Sequence, residues 1–222
     1  MKVWAVIPAY NEANSLGLVL EELQQTELSI LVVDDGSTDE TAQIAQSAGV
    51  TVLRNSENLG KGQSLKNAVQ YLFDNEEFDY VITMDADRQH AASDVKGFLY
   101  QAHQGEKFVL GNRMNNPQGM PFDRVLTNRF MSWLISALIK QHIPDTQCGF
   151  RLIKREVLEK IPIETENFEV DSEFLIKAVR NNIRIKSIPI QSIYHKDSSS
   201  KIKPIIDTIR FLRFFFLAIL NQ

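Results

Sequence analysis

Two hydrophobic periods alternate along the first half of the chain. Short apolar runs at 3–7, 30–33, 51–53, 80–84 and 108–110 read as strands. Between them, apolar residues recur at helical spacing over 16–25, 40–48, 61–73 and 94–104. Strands alternating with helices of this length imply right-handed crossovers. They predict an α/β fold: a mainly parallel sheet with helices on both faces.

Beyond residue 111 the pattern changes. Residues 112–121 are turn-rich and read as a loop. A long helix is expected at 124–140, a shorter αβ region up to Tyr194, and a last helix from about 204 to 220. Ser37 and Glu40 have the spacing of a capping box at the start of the second helix. Ser93 is placed to cap the helix that begins near Asp94.

Composition sharpens this picture in three places. With 222 residues, 44% hydrophobic and 23% charged, the chain has enough apolar surface for a folded domain. The net charge of −4 gives no pull toward nucleic acid, and none is expected as a partner. The charge is uneven, however. Residues 183–222 carry seven Lys or Arg against two acids, a net of +5, which leaves −9 on the first 182. A basic end on an acidic body suits phosphate or an anionic surface. Cys148 is the sole cysteine, so no intrachain disulfide is possible and a reducing compartment is expected. Met1 leads directly into a β-rich segment, so no secretory signal is expected. No run reaches the ~18–20 apolar residues needed to cross a bilayer. The nearest, 205–220, is broken by Asp207, Thr208, Arg210 and Arg213.

Candidate chemistry lies in the residues just after each strand, because open parallel sheets bind ligands beyond their carboxyl ends. The first strand leads into Pro8, Ala9, Tyr10, Asn11 and Glu12; the second into Asp34 and Asp35; the fourth into Asp85, Ala86, Asp87, Arg88 and Gln89; the fifth into Gly111, Asn112 and Arg113. All four would open on one crevice. Asp85 and Asp87 are two residues apart, so in extended chain both carboxylates face one site. A hard divalent cation, Mg²⁺ or Mn²⁺, takes one or two such carboxylates and fills its remaining positions with water and substrate phosphates. Gln89 offers a further, neutral oxygen. An acid at Asp34 or Asp35 can accept hydrogen bonds from a base or a ribose. Lys61 opens a helix and is placed near a diphosphate. The segment from Gly60 to Leu65 only partly imitates a dinucleotide fingerprint, since Leu65 stands where the third glycine belongs. Cys148 has no histidine-and-acid pattern around it and reads as a packed thiol. His90 and His103 are too dispersed for a zinc site.

Eight motifs in order resemble the family 2 glycosyltransferases of GT-A fold: PAYNE (8–12), VDDGSTDET (33–41), NLGKGQSLKNA (58–68), MDADRQH (84–90), GNR (111–113), DTQCGFR (145–151), FEVDSEFL (168–175) and SSSKI (198–202). Within that family the chain looks most like the dolichyl- and polyprenyl-phosphate sugar synthases. The resemblance implies a nucleotide held by Pro8, Ala9, Tyr10, Glu12 and Asp35. Asp85 and Ala86 lie against the nucleotide sugar, and the metal is held by Asp87 with Gln89. It places Arg113 toward the transferred group or the acceptor phosphate. Arg124 and Lys201 match basic positions that grip phosphate, with Asn128 standing where that branch often has Ser and His195 where it has Arg. Asp171 matches the acid that serves as base for hydroxyl acceptors. The processive synthases' Gln-x-x-Arg-Trp is absent, the only tryptophans being Trp4 and Trp133.

The expected organisation is a catalytic domain over 1–202, with a nucleotide-sugar half at 1–111 and an acceptor half at 112–202. A separate amphipathic helix over 203–222 comes last, suited either to lie in a membrane interface or to pack on the body. The expected activity is metal-dependent, inverting transfer of a sugar from a nucleoside diphosphate sugar to a polyprenyl phosphate. The enzyme would be cytoplasmic and peripheral on the inner face of a membrane. A hydroxyl acceptor activated by Asp171 remains open, as do a sugar-phosphate nucleotidyltransferase and a non-catalytic nucleotide-binding module. The nucleotidyltransferase needs an N-terminal glycine-rich loop, and 8–12 contain no glycine.

Overall fold

The computed structural model describes residues 1–194, 211, 213–216 and 218. Lys201, His195 and most of the last expected helix lie outside the described residues.

Seven strands form one sheet in the order β3-β2-β1-β4-β6-β5-β7. The first three are β1 (Val3–Ala9), β2 (Ser29–Asp34) and β3 (Thr51–Arg54), all parallel and joined through α1 (Ala13–Leu23) and α2 (Thr41–Ser47). α3 (Lys61–Asn75) then crosses to β4 (Tyr80–Thr83), parallel to β1. A 3₁₀ turn at Ala92–Asp94 and α4 (Val95–His103) lead to β5 (Phe108–Asn112). All of these match the expected elements to within a few residues. β2 is buried from Ile30 to Asp34, as a central strand covered on both faces must be.

The second half departs from simple alternation. α5 (Phe122–Ile139) is followed by β6 (Arg151–Lys154), which inserts between β4 and β5 and runs antiparallel to both. α6 (Arg155–Lys160), α7 (Val170–Arg180) and β7 (Ile185–Pro189), parallel to β5, complete the order. Because β6 reverses between them, β4 and β5 still point the same way. The carboxyl ends of β1, β2, β4 and β5 therefore share one edge.

Two expected caps are corrected. α2 starts at Thr41 without a Ser37 cap, and Ser37 Oγ instead accepts the Asn11 N–H at 2.9 Å. Ser93 lies inside the 3₁₀ turn and caps nothing. Of the final segment, residues 211, 213–216 and 218 are helical. Phe211 and Ala218 are buried in the body, and Arg180 Nη2 of α7 donates to the Ala218 carbonyl at 2.6 Å. Among the described residues, no helix is long and apolar enough to cross a membrane.

Candidate active site

The loops after β1 and β2 are sewn together by short polar side chains. The Thr38 N–H donates to Asn11 Oδ1 at 2.8 Å, the Glu12 N–H to Thr41 Oγ1 at 2.8 Å and the Ala13 N–H to Asp39 Oδ2 at 3.1 Å. Asn11 sits at φ 50°, one of the few left-handed non-glycine residues, which turns the chain sharply after Tyr10. Pro8, Ala9, Tyr10 and Glu12 are thereby fixed at the mouth of the β1–β2 edge.

Asp35, expected to hold nucleotide, is buried and already engaged. Its Oδ1 accepts from Asn55 Nδ2 at 2.7 Å and the Leu59 N–H at 3.0 Å, and its Oδ2 from the Gly60 N–H at 2.9 Å. It orders the loop that delivers α3. That helix begins against the 164–166 segment: a Cβ on Gly60 would lie 2.5 Å from the Glu166 carbonyl oxygen, and one on Gly62 would clash with that of Thr165. Glu173 of α7 anchors the same segment, accepting the Glu164 and Thr165 N–H groups at 2.9 and 3.0 Å.

This seam places Lys61 in the centre of the site. Its Nζ lies 2.8 Å from Asp85 Oδ1 and 3.0 Å from Asp171 Oδ2. Asp171 Oδ1 lies 3.2 Å from the guanidinium of Arg151, whose Nη1 also donates to the Asp171 carbonyl at 2.7 Å. His90 Nε2 stands 3.2 Å from Asp85 Oδ2, and the His90 ring packs against Phe150. Two acids and two cations thus interlock. Burial disfavours the charged form of Lys61, but Asp171 and Asp85 outweigh it and raise its pKa above the ordinary lysine value. Burial likewise opposes the charge on Asp85, and Lys61 and His90 overcome it, holding that carboxyl well below the usual range. The ammonium expected beside a diphosphate is therefore matched within the protein. Gly149 is required here, since a Cβ would run into Asp85 and stand 2.8 Å from the Lys61 ammonium.

Asp87 is the exception. Burial and the neighbouring Asp85 push its pKa up, Glu12 adds to this, and only His90 and the Gln89 N–H (to Oδ1, 3.0 Å) oppose them. A half-buried carboxylate facing other acids fits a divalent cation, with Gln89 buried beside it. Among the described residues no group of three or more His, Cys, Asp or Glu gathers as a metal cage. The remaining positions of such a cation would fall to substrate phosphates and water. Glu12 stands close enough to Asp87 to add to the rise in its pKa, so the β1 and β4 loops are neighbours.

On the β5 side, Arg113 is buried and its fork closes on Asp145, Nε to Oδ2 at 2.8 Å and Nη2 to Oδ1 at 3.0 Å. Asp145 also accepts the Arg113 N–H at 3.0 Å. Arg124, on the first turns of α5, has its guanidinium 5.6 Å from the Tyr194 ring centroid. Asn128, one turn further, is buried with its amide toward the Met120 sulfur. Lys201 lies outside the described residues. Asp145, Arg151 and Tyr194 were not singled out from sequence, and His90 was weighed there only as a zinc ligand and set aside. Asp145 and Arg151 stand in a recognised motif, yet their partners are 32 and 20 residues away, beyond any local spacing rule.

The fold is that of the GT-A glycosyltransferases, and the acids sit at the carboxyl ends of the strands. The model of Glycosyl transferase family 2 matches residues 4–162, and the chain belongs to that family. It is 26% identical over 223 residues to the UDP-N-acetylglucosamine–dolichyl-phosphate N-acetylglucosaminyltransferase of Methanococcus voltae, covering 90% of this chain and 88% of that one. It is 30% identical over 240 residues to the dolichyl-phosphate beta-glucosyltransferase of Saccharomyces cerevisiae, covering 92% and 70%. Among solved structures, glucosyl-3-phosphoglycerate synthase from Mycobacterium tuberculosis, in complex with Mn²⁺, UDP and glucosyl-3-phosphoglycerate, superposes with a TM-score of 0.77. That pair is 19% identical and covers 99% of this chain and 79% of the other.

Proposed function

We propose that this glycosyltransferase moves a sugar, with inversion, from a nucleoside diphosphate sugar to a polyprenyl phosphate at a membrane surface. One observation carries the choice of acceptor: Asp171, the base candidate for a hydroxyl, is 6% exposed and bound on both oxygens by Lys61 and Arg151. A general base has to reach the acceptor's proton. Asp171 instead serves as the counter-charge for two buried cations. A phosphate monoester needs no base, because its second pKa is about 6 and it is largely dianionic at neutral pH. It needs cations that place it, and Arg124 and Lys201 supply them; Arg113, forked on Asp145, contributes through its remaining N–H groups.

Pro8, Ala9, Tyr10 and Glu12 line the nucleotide side. Asp35 acts through the loop it orders. Asp85 and Ala86 lie against the donor, with Lys61 fixing the Asp85 carboxylate. Asp87 and Gln89 would hold Mg²⁺ or Mn²⁺, which stabilises the charge that develops on the leaving diphosphate. The acceptor oxygen attacks the anomeric carbon from the face opposite the diphosphate, which inverts the configuration.

A second feature supports a lipid acceptor. Phe122, Leu126, Phe130 and Trp133 recur on one face of α5 and are exposed, Phe122 by 82% and Trp133 by 64%. The opposite face carries Arg124, Asn128, Ser132 and Ile135. An exposed apolar stripe on the helix that carries Arg124 suits an acceptor presented from a membrane. The two dolichyl-phosphate relatives point the same way. The test supplies UDP-, GDP- and dTDP-sugars with Mn²⁺ and offers either a short prenyl phosphate or the matching prenol. Product is expected from the phosphate alone; transfer to the prenol instead would establish a hydroxyl acceptor and refute this reading.

A further inference from the structure

Tyr194 lies five residues beyond the end of β7, and bonds from three backbone N–H groups fix its approach. The Ile190 N–H donates to the Asn112 carbonyl at 3.2 Å, the Gln191 N–H to Asp94 Oδ2 at 2.8 Å and the Ile193 N–H to the Gln89 carbonyl at 3.3 Å. The segment is thus tied to the end of β5 and to the β4 loop that carries Asp87. Gly119 of the 112–121 loop passes over it, where a Cβ would stand 3.3 Å from that of Tyr194. On the α5 side the ring meets the Arg124 guanidinium at 5.6 Å.

The phenol at the end of this held ring is buried and finds no hydrogen-bond partner among the described residues. Leaving a buried hydroxyl unpaired is unfavourable, so a fold that keeps one in a site invites the question of what completes it. Trp4 Nε1 and Ser192 Oγ are also unpaired, but Tyr194 differs from them in its surroundings. Burial is the largest influence on its phenol and raises its pKa, so the group stays a protonated donor. Arg124 and then Arg113 act on it in the opposite sense, and Asp87 and Asp145 add to burial. The hydroxyl therefore lies in the field of both arginines assigned to the acceptor and of the acid assigned to the metal. A donor on a ring that meets the Arg124 guanidinium matches a phosphate oxygen.

We propose that Tyr194 is an acceptor-binding residue whose phenol donates a hydrogen bond to the acceptor phosphate drawn in by Arg113 and Arg124. This rests on the polyprenyl phosphate reading above. It adds a neutral donor that fixes the orientation of the phosphate, where the cations supply attraction.

The test compares the wild type with Tyr194→Phe, which keeps the ring on Arg124 and removes only the hydroxyl. The probes are a short prenyl phosphate and the nucleotide sugar, with Mn²⁺. A bond to a charged group predicts a loss in kcat/KM for the prenyl phosphate of about tenfold or more. Donor affinity, measured separately, stays at the wild-type value, which assigns the contact to the acceptor phosphate and not to the donor diphosphate. The melting temperature of the free variant is unchanged or higher, since an unpaired buried group has been removed. Wild-type acceptor kinetics in Tyr194→Phe would overturn the proposal while leaving the polyprenyl phosphate reading intact. A parallel fall in donor affinity and melting temperature would also overturn it, marking the hydroxyl as structural. A wild type that glycosylates the prenol and ignores the prenyl phosphate overturns both readings together.

Discussion

Lys61, Arg113 and Arg151 are each matched to acids, whereas Asp87 is surrounded by further acids. That imbalance has an energetic sign. A carboxyl whose folded pKa is raised stabilises the fold at low pH, and the contribution is lost as pH rises through the folded value. At neutral pH the ionised Asp87 therefore weighs against the metal-free protein. Asp87→Asn is expected to raise the melting temperature without metal and to abolish the further rise that Mn²⁺ gives the wild type. It is also expected to cost at least about 100-fold in transfer, the scale of a lost charge-stabilising cation. Thermal scans with and without Mn²⁺, beside a transfer assay, check all three. Asp85 behaves oppositely. Its pKa is depressed, so its stabilisation is present above the ordinary carboxylate value and disappears only as pH falls toward the folded one. The spacing of the two acids is plain in the sequence; their opposite fates are not, because Lys61 reaches Asp85 and not Asp87 only in the folded chain.

Among the elements, α5 departs from the usual arrangement. Asn128 and Ser132 are buried along with Ile135 and Ile139, while Phe122, Leu126, Phe130 and Trp133 face outward. Phe130 and Trp133 stack, with ring centroids 6.1 Å apart, so the outward face is itself ordered. The last helix was the sequence's candidate either for a membrane contact or for packing on the body; of its described residues, Phe211 and Ala218 are buried, the Ala218 carbonyl is bonded to Arg180 of α7, and Phe216 is exposed. Replacing Phe130 and Trp133 with Ser is expected to weaken partitioning onto anionic liposomes by at least about tenfold, since fully burying one large apolar side chain is worth about 1.5–3 kcal/mol. Transfer to a water-soluble prenyl phosphate should persist in that variant. Undiminished flotation would remove α5 from the membrane contact. The sequence announced a long helix here, but periodicity locates an apolar stripe without saying which side the sheet covers.

Across the whole molecule, the interlocked charges join the two stretches of chain. Lys61 and Asp85 come from the first 111 residues, Arg151 and Asp171 from the rest, and β6 inserts Arg151 between β4 and β5. Removing one member of a buried set leaves the others uncompensated, which costs about 3–5 kcal/mol. Lys61→Met is expected to lose stability of that order in urea denaturation, and a change below about 1 kcal/mol would show the network to be dispensable. Cys148 reports on the same interior. Burial pushes its thiol up to about 12, and it is fully buried in the core. Alkylation at pH 8 should accordingly require denaturant, and prompt labelling of the native protein would contradict this packing.

The alternation of apolar runs and helical spacing was enough to set five parallel strands, their helices and the edge on which the acids gather, because both signals are local and follow from burial. The family, too, was legible, since its motifs lie at the ends of those strands. Only the tertiary structure decided that β6 runs backwards through the middle of the sheet, that Asp35 orders a loop from within, and that Asp171 is held by two cations. Those facts depend on contacts between residues such as Lys61 and Asp171, 110 positions apart. Partners at that distance are set by how the layers pack, and no period in the chain encodes them.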